Sequence, residues 1–248
     1  MGFASVHFKL EATCARTRAR AGRLSTPRGE VLTPTFMPVG TRAAVRIQDP
    51  AALKEMGAQM LLANAYHLTQ RPGLDVLRSM GGVQRFMGWD GPVLTDSGGY
   101  QLFSLAGAAV SEEGASFVDP ASGIASFMSP EDCIRAQQAI GSDVMMALDH
   151  CVPSTSPLPE ARAAMELTHR WAKRCLAERA KQERRQALFG IVQGAVDPGL
   201  RRESADRISE MATGEMPFDG IAIGGLAVGE SRSEREDITE LVTERLPS

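Results

Sequence analysis

The sequence predicts a parallel α/β fold of the (β/α)8 barrel type, and three observations carry that expectation. Short apolar runs alternate with helical patterns beyond the first forty or so residues, as strand–helix units around a parallel sheet do. The runs are continuously apolar, which suits strands buried on both faces. Four of the five end on a polar side chain, Asn64, Asp96, Asp149 and Gln193, and the fifth on Gly224-Gly225. A barrel carries its active site on the C-terminal strand ends, whereas a doubly wound sheet concentrates ligand groups at one switch point.

The first forty or so residues mix short β-like runs with turns. Val31–Val39 alternates and is broken by Pro34 and Pro38, which marks edge strands or a cap. The five strand runs are Met60–Asn64, Val93–Asp96, Val144–Asp149, Leu188–Gln193 and Gly220–Gly225. Asp49-Pro50 opens a helix through Leu53 and Met56, and Ser129-Pro130-Glu131-Asp132 opens another, with proline at the first helical position. Residues 158–182 form the longest helix, with Met165, Trp171 and Cys175 at near-helical spacing, and 199–211 form a fourth. A fifth starts near Ser231, where Ser231 and Glu234 fit a capping box. Eight strands close a barrel and five are found. Either three more lie in the N-terminal region or the chain is the front part of a longer protein, and the second is the expectation.

The chain has 248 residues and a net charge of −3, which excludes a wholly basic nucleic-acid coat but not a local basic patch. A hydrophobic fraction of 43% and a charged fraction of 23% are those of a globular protein. No apolar run approaches the roughly 18–20 residues of a membrane span, and the N-terminus lacks the pattern of a secretory signal. Four cysteines, none in a C-x-x-C pair, fit reduced thiols in the cytoplasm and no metal site built from thiolates alone.

Asp96 opens Asp96-Ser97-Gly98-Gly99-Tyr100-Gln101. A strand-end carboxylate beside glycines whose N–H groups can approach a ligand suits binding or acid–base work; the alternative is a turn cap. Asp149 ends the most apolar run and is followed by His150 and Cys151. Neighbours on an extended chain face opposite ways, so a ligand-binding Asp149 is preferred to a Cys–His nucleophile. Gln193 both donates and accepts, as reading the edge of a base requires. Gly224-Gly225-Leu226-Ala227-Val228-Gly229-Glu230 matches neither phosphate-loop pattern; it offers backbone groups to a planar ligand or is a plain turn. Arg16, Arg18, Arg20, Arg23 and Arg28, with Arg42 and Arg46, form a phosphate-contacting or a solvated face. His7, His67 and His169 are too scattered for a metal triad.

Taken together these motifs resemble the bacterial tRNA-guanine transglycosylase family, the queuine tRNA-ribosyltransferases. The resemblance rests on Thr33–Thr41, Asn64–Leu68, Arg71-Pro72-Gly73, Asp96–Gln101, Phe189–Gly194 and Gly224–Glu230, in the family's order. It implies one catalytic domain over 1–248, with an antiparallel β cap (1–45) and a partial (β/α)8 barrel (46–248). It implies a pentosyltransferase of queuosine biosynthesis. Such an enzyme exchanges the wobble guanine of tRNAs with GUN anticodons for 7-aminomethyl-7-deazaguanine by double displacement. Carried over by motif, Asp96 is the general acid/base. Asp149 reads the donor edge of guanine. Gln193 and the Gly225 N–H hold its carbonyl oxygen, the Leu226 carbonyl meets the aminomethyl group, and Ser97 and Tyr100 line the pocket. Val228 and Cys151 are of the bacterial type. The resemblance further implies zinc and a homodimer in the full-length family member.

Three departures stand out. His150 occupies a position where bacterial members carry an acidic residue. Nothing after Glu230 matches the family's nucleophilic aspartate, since Asp237 lies in a charged helical stretch. The zinc ligands, three Cys and one His, have no counterpart. The expectation is a chain with much of the base-binding half but without nucleophile or metal, inactive and poorly folded alone because open sheet edges would be exposed. The alternative is a non-catalytic tRNA- or base-binding partner, or an inactive remnant. A barrel hydrolase using Asp96 and Asp149 as a carboxylate pair leaves the glycine-rich loop unexplained.

Overall fold

The computed structural model describes residues 6–105, 107–120, 123–181, 186–214 and 216–247. Residues 1–5 of the expected cap, residue 182 of the expected long helix, and residue 248 lie outside the described residues. The N-terminal region forms a three-stranded antiparallel sheet of β1 (His7–Thr13), β2 (Arg20–Thr26) and β3 (Gly29–Thr33). β3 stops where Pro34 takes the next N–H out of the ladder. In α1 (Pro50–Glu55) the Asp49 carboxylate accepts the Ala52 N–H at 2.8 Å, the cap expected from Asp49-Pro50.

β4 (Leu61–Asn64) leads into α2 (Ala65–Gln70), α3 (Leu74–Met80) and α4 (Val83–Met87), and β5 (Val93–Asp96) leads into α5 (Gly99–Ser104). A second antiparallel sheet of β6 (Ala109–Val110), β7 (Ala115–Val118) and β8 (Ala125–Met128) precedes α6 (Pro130–Ile140) and β9 (Val144–Met146). There follow α7 (Leu158–Ala180), β10 (Ala187–Val192), α8 (Pro198–Glu210), the paired β11 (Ala212–Thr213) and β12 (Met216–Pro217), β13 (Gly220–Ile223) and α9 (Arg232–Thr243). The expected caps form. Ser129 Oγ accepts the Asp132 N–H at 3.0 Å while Asp132 accepts the Ser129 N–H at 3.1 Å, and Ser231 and Glu234 make a reciprocal capping box.

The five expected strands make the parallel sheet, in the order β4-β5-β9-β10-β13. Neighbours follow chain order with no reversal, so these strands contain no switch point of the doubly wound kind. Three runs end earlier than expected, β10 by one residue, at Val192 rather than Gln193. β9 stops at Met146 rather than Asp149 because the Gln137 side-chain amide takes both backbone groups of Met146, each at 2.9 Å. β13 stops at Ile223 because the chain turns at Gly225, with φ +63°.

The chain divides into two compact units. The first is built from the described residues of Met1–Gly98, Ile134–Met146 and Glu183–Ala187, around Leu53, Leu61, Leu68, Leu77, Trp89 and Ile140. Buried Asp143 organises it. Its carboxylate accepts the Val93 N–H at 2.9 Å and the Gln84 amide at 3.0 Å, and pairs with Arg28 at 3.2 Å. Asp143→Ala leaves those three buried or half-buried donors without this acceptor, and is expected to cost about 3 kcal/mol of unfolding free energy. Urea unfolding measures it. A loss below about 1 kcal/mol would mean that other acceptors take over.

The second unit is built from the described residues of Gly99–Cys133, Ala147–Gln182 and Leu188–Ser248. Its cores gather Val152, Met165 and Leu200, and Val192, Ile208 and Ile238. α7 is tied to the β6–β7 turn. Trp171 Nε1 donates to the Glu112 carbonyl at 2.9 Å, and Arg174 donates to the Glu112 and Glu113 carbonyls at 2.6 and 3.0 Å. Arg174 also forks onto Glu131 at 2.8 and 2.7 Å.

Candidate active site

In the first unit, parallel register pairs Asn64 with Asp96 at the C-terminal ends of β4 and β5. Asn64 Nδ2 donates to Asp96 Oδ2 at 3.1 Å, while Asn64 Oδ1 caps α2 by accepting the His67 N–H at 3.3 Å. One amide thus starts a helix and holds a carboxylate. Burial lifts the Asp96 carboxyl above the ordinary carboxylate range, against the opposing pull of the Ser97 N–H, the Asn64 amide and the Gly98 N–H. Ser97 is fully buried. Gly98 has φ +87° and lies against Tyr66, which leaves no room for a Cβ. Such a group is a candidate for handling a proton nearer neutrality than a free aspartate would.

The second unit brings three of the expected residues together. Parallel register of β10 with β13 pairs Val192 with Ile223, so Gln193 and Gly224 follow side by side. Gln193 Nε2 donates to Asp149 Oδ2 at 2.6 Å, and both side chains are buried. The Gln193 N–H donates to Ser204 Oγ on α8 at 3.1 Å. At Gly225 a Cβ would collide with Gln193 Oε1, so glycine is needed both for its positive φ and for this approach. Leu226 packs against the Val192–Ile208 core. Tyr100, on α5, is about half exposed.

The segment after Asp149 is fixed from α7, where Thr168 Oγ1 accepts the His150 N–H at 2.9 Å. The His150 ring lies 4.6 Å from the ring of Phe103, centroid to centroid, and 6.5 Å from that of Trp171, and burial lowers its pKa.

His169 is buried with Nε2 3.0 Å from Ser204 Oγ. Burial drives its pKa from 6.5 to about 4. A depressed histidine favours folding while neutral, so its contribution is whole above about pH 6.5 and is lost as pH falls from there towards 4. His169→Gln is expected to remove roughly 2–3 kcal/mol of that acid-induced loss. Urea unfolding at pH 7 and at pH 4.5 compares the two proteins, and parallel losses in both would contradict it.

Two residues carry more than their sequence positions suggested. Arg28, placed in the basic cluster, holds Asp143, and Arg23 pairs with Glu11 and Glu30 at 3.2 and 3.0 Å. Arg201, in sequence one position of the 199–211 helix, is fully buried and donates to four backbone carbonyls, those of Val192, Ala195, Gly224 and Gly225. Burial lowers its pKa to about 10, which leaves it cationic at neutral pH. The available signal was phase. With Asp197 as N-cap, Leu200, Arg201, Ser204, Ala205 and Ile208 share one face of α8, and a charge on an apolar face is seldom left unpartnered.

Among the described residues no group of three or more His, Cys, Asp or Glu side chains is arranged to hold a metal. Cys133 and Cys175 are buried free thiols, Cys14 is exposed, and burial pushes the Cys175 thiol up to about 12. No helix among the described residues is long and apolar enough to cross a membrane.

A family model described as queuine tRNA-ribosyltransferase matches residues 14–248. The chain belongs to the queuine tRNA-ribosyltransferase family. It is 45% identical over 244 residues to a queuine tRNA-ribosyltransferase of Natranaerobius thermophilus, covering 98% of this chain and 64% of that protein. It is 46% identical over 246 residues to the Halalkalibacterium halodurans protein of the same name, covering 99% and 63%. A Xylella fastidiosa relative of that name is also 46% identical, with 62% of it covered. The chain therefore spans somewhat under two thirds of the length of these ribosyltransferase relatives.

Proposed function

We propose that this chain is the base-binding part of a tRNA-guanine transglycosylase that exchanges the wobble guanine of GUN-anticodon tRNAs for 7-aminomethyl-7-deazaguanine. The buried Asp149–Gln193 pair beside Gly225 is the observation that supports this most. A carboxylate only accepts, so it suits the N1–H and amino donors of guanine. Gln193 Nε2 carries two protons and uses one on Asp149. The other, with the Gly225 N–H, suits the base's carbonyl oxygen, and the Leu226 carbonyl suits an aminomethyl group. The family resemblance further assigns Ser97 and Tyr100 to base binding and the purine's proton transfer to Asp96.

On this reading residues 1–45 are a cap and 46–248 part of a (β/α)8 barrel within one catalytic domain; the chain-order strand arrangement supports the barrel. The whole protein would work as a cytoplasmic homodimer. Zinc would belong to the whole protein. The described residues of this chain do not offer it a donor set, and no step here runs through it. The second reading is a non-catalytic tRNA- or base-binding partner.

Incubating the purified protein with radiolabelled guanine and a GUN-anticodon tRNA tests both. Label entering the tRNA supports transfer. Micromolar guanine binding without incorporation supports the non-catalytic reading. Absence of guanine binding rejects both.

A further inference from the structure

We infer that Arg201 is a positioning residue whose guanidinium sets the direction in which the Gly224–Gly225 peptide presents its N–H. The inference rests on the base-binding reading above. Nε donates to the Ala195 carbonyl at 2.7 Å, and Nη1 to the Val192 and Gly224 carbonyls at 2.9 and 2.7 Å. Nη2 donates to the Gly225 carbonyl at 3.3 Å. In a planar trans peptide the C=O and the N–H point in opposite directions. Holding the Gly224 carbonyl therefore turns the Gly225 N–H away from Arg201. A peptide between two glycines is poorly able to fix its own orientation, because neither residue restricts its dihedrals as a side chain would.

The planar fork matters, because it engages several carbonyls at once where a lysine ammonium is a flexible point donor. A cation bonded to the Gly224 carbonyl also polarises that peptide and strengthens its N–H as a donor. The hydrogen bonds of Arg201 go to backbone carbonyls, with the Glu230 carboxylate acting on it only through its charge. A buried charge is costly, and an apolar side chain would pack this face of α8 more cheaply. One turn on, Ser204 accepts the Gln193 N–H. A single helix face thus anchors the backbone of both residues assigned to the base's carbonyl oxygen.

Calorimetry with guanine and 6-thioguanine tests this, since the two purines share ring donors and differ in the strength of the acceptor at position 6. For Arg201→Lys and Arg201→Gln, guanine binding is expected to weaken about tenfold or more and 6-thioguanine binding by less than about threefold, so the preference for guanine collapses. Equal loss for both purines, or unchanged affinity, would assign Arg201 to the fold alone and overturn the inference. A wild-type protein that binds neither purine overturns the base-binding reading, and the positioning role with it. Should both variants fail to fold, nitrogen-15 spectra of the wild-type protein decide. A held guanidinium gives resolved, slowly exchanging Nη protons with and without guanine; an averaged, freely rotating one contradicts the inference.

Discussion

Asp149→Asn is expected to weaken guanine binding by roughly 10²–10³-fold. On the base-binding reading the carboxylate accepts two hydrogen bonds from the guanine edge, and hydrogen bonds to a charged group are worth about 1.5–3 kcal/mol each. An asparagine keeps one acceptor and turns an NH2 group towards either the base's own donors or Gln193 Nε2, which already lies 2.6 Å from Asp149 Oδ2. Donor facing donor in a buried site costs more than a missing bond, because neither group can turn to water. Discrimination should fall as well. Hypoxanthine lacks the amino group that the second carboxylate oxygen would accept, so the wild-type preference for guanine over hypoxanthine is expected to shrink by about tenfold. Titration calorimetry with both bases measures the two effects. Guanine affinity held within about threefold would remove Asp149 from the reading of the base.

The parallel strands were legible because each is a short apolar run closed by a polar residue or a glycine pair. The caps at Asp49, Ser129 and Ser231 were legible because capping is local chemistry between residues three apart. The helices α2, α3 and α4 were not. They have five to seven residues each, too few to show a helical period, and Gly73, Gly81, Gly82 and Gly88 punctuate them. Nor was the β6–β8 sheet, whose strands have only two to four residues. At the site, Asp149, Gln193 and Gly225 could each be chosen as strand-end residues. Their contact could not, because the approach of Gln193 to Gly225 depends on the register that sets Val192 beside Ile223, and that of Asp149 on the turn after β9. Arg201 was hidden for a related reason. Its partners are carbonyls of Val192, Ala195, Gly224 and Gly225, and backbone acceptors leave no mark in a sequence.

On the transglycosylase reading, Asp96→Asn is expected to slow guanine exchange by the whole protein by about 10²–10⁴-fold while making this chain harder to unfold at neutral pH. Burial raises the Asp96 carboxyl above its ordinary value, so the folded state resists its ionisation. The unfolded group titrates near pH 4. The favourable contribution of the protonated group is therefore whole below about pH 4 and is lost as pH rises through the folded value. Asparagine is neutral at every pH and keeps an oxygen for the Asn64 amide, which donates to Asp96 at 3.1 Å. The stability gap between variant and wild type should accordingly widen from about pH 4 upward and narrow below it, as thermal unfolding across that range would read. Guanine affinity should move far less than the exchange rate, because Asp149 and Gln193 remain. Opposite signs for activity and stability are what a site residue gives when its environment serves chemistry at the expense of folding. A variant that lost stability along with exchange would instead assign Asp96 to holding the ends of β4 and β5, and proton transfer would have to be sought in another residue.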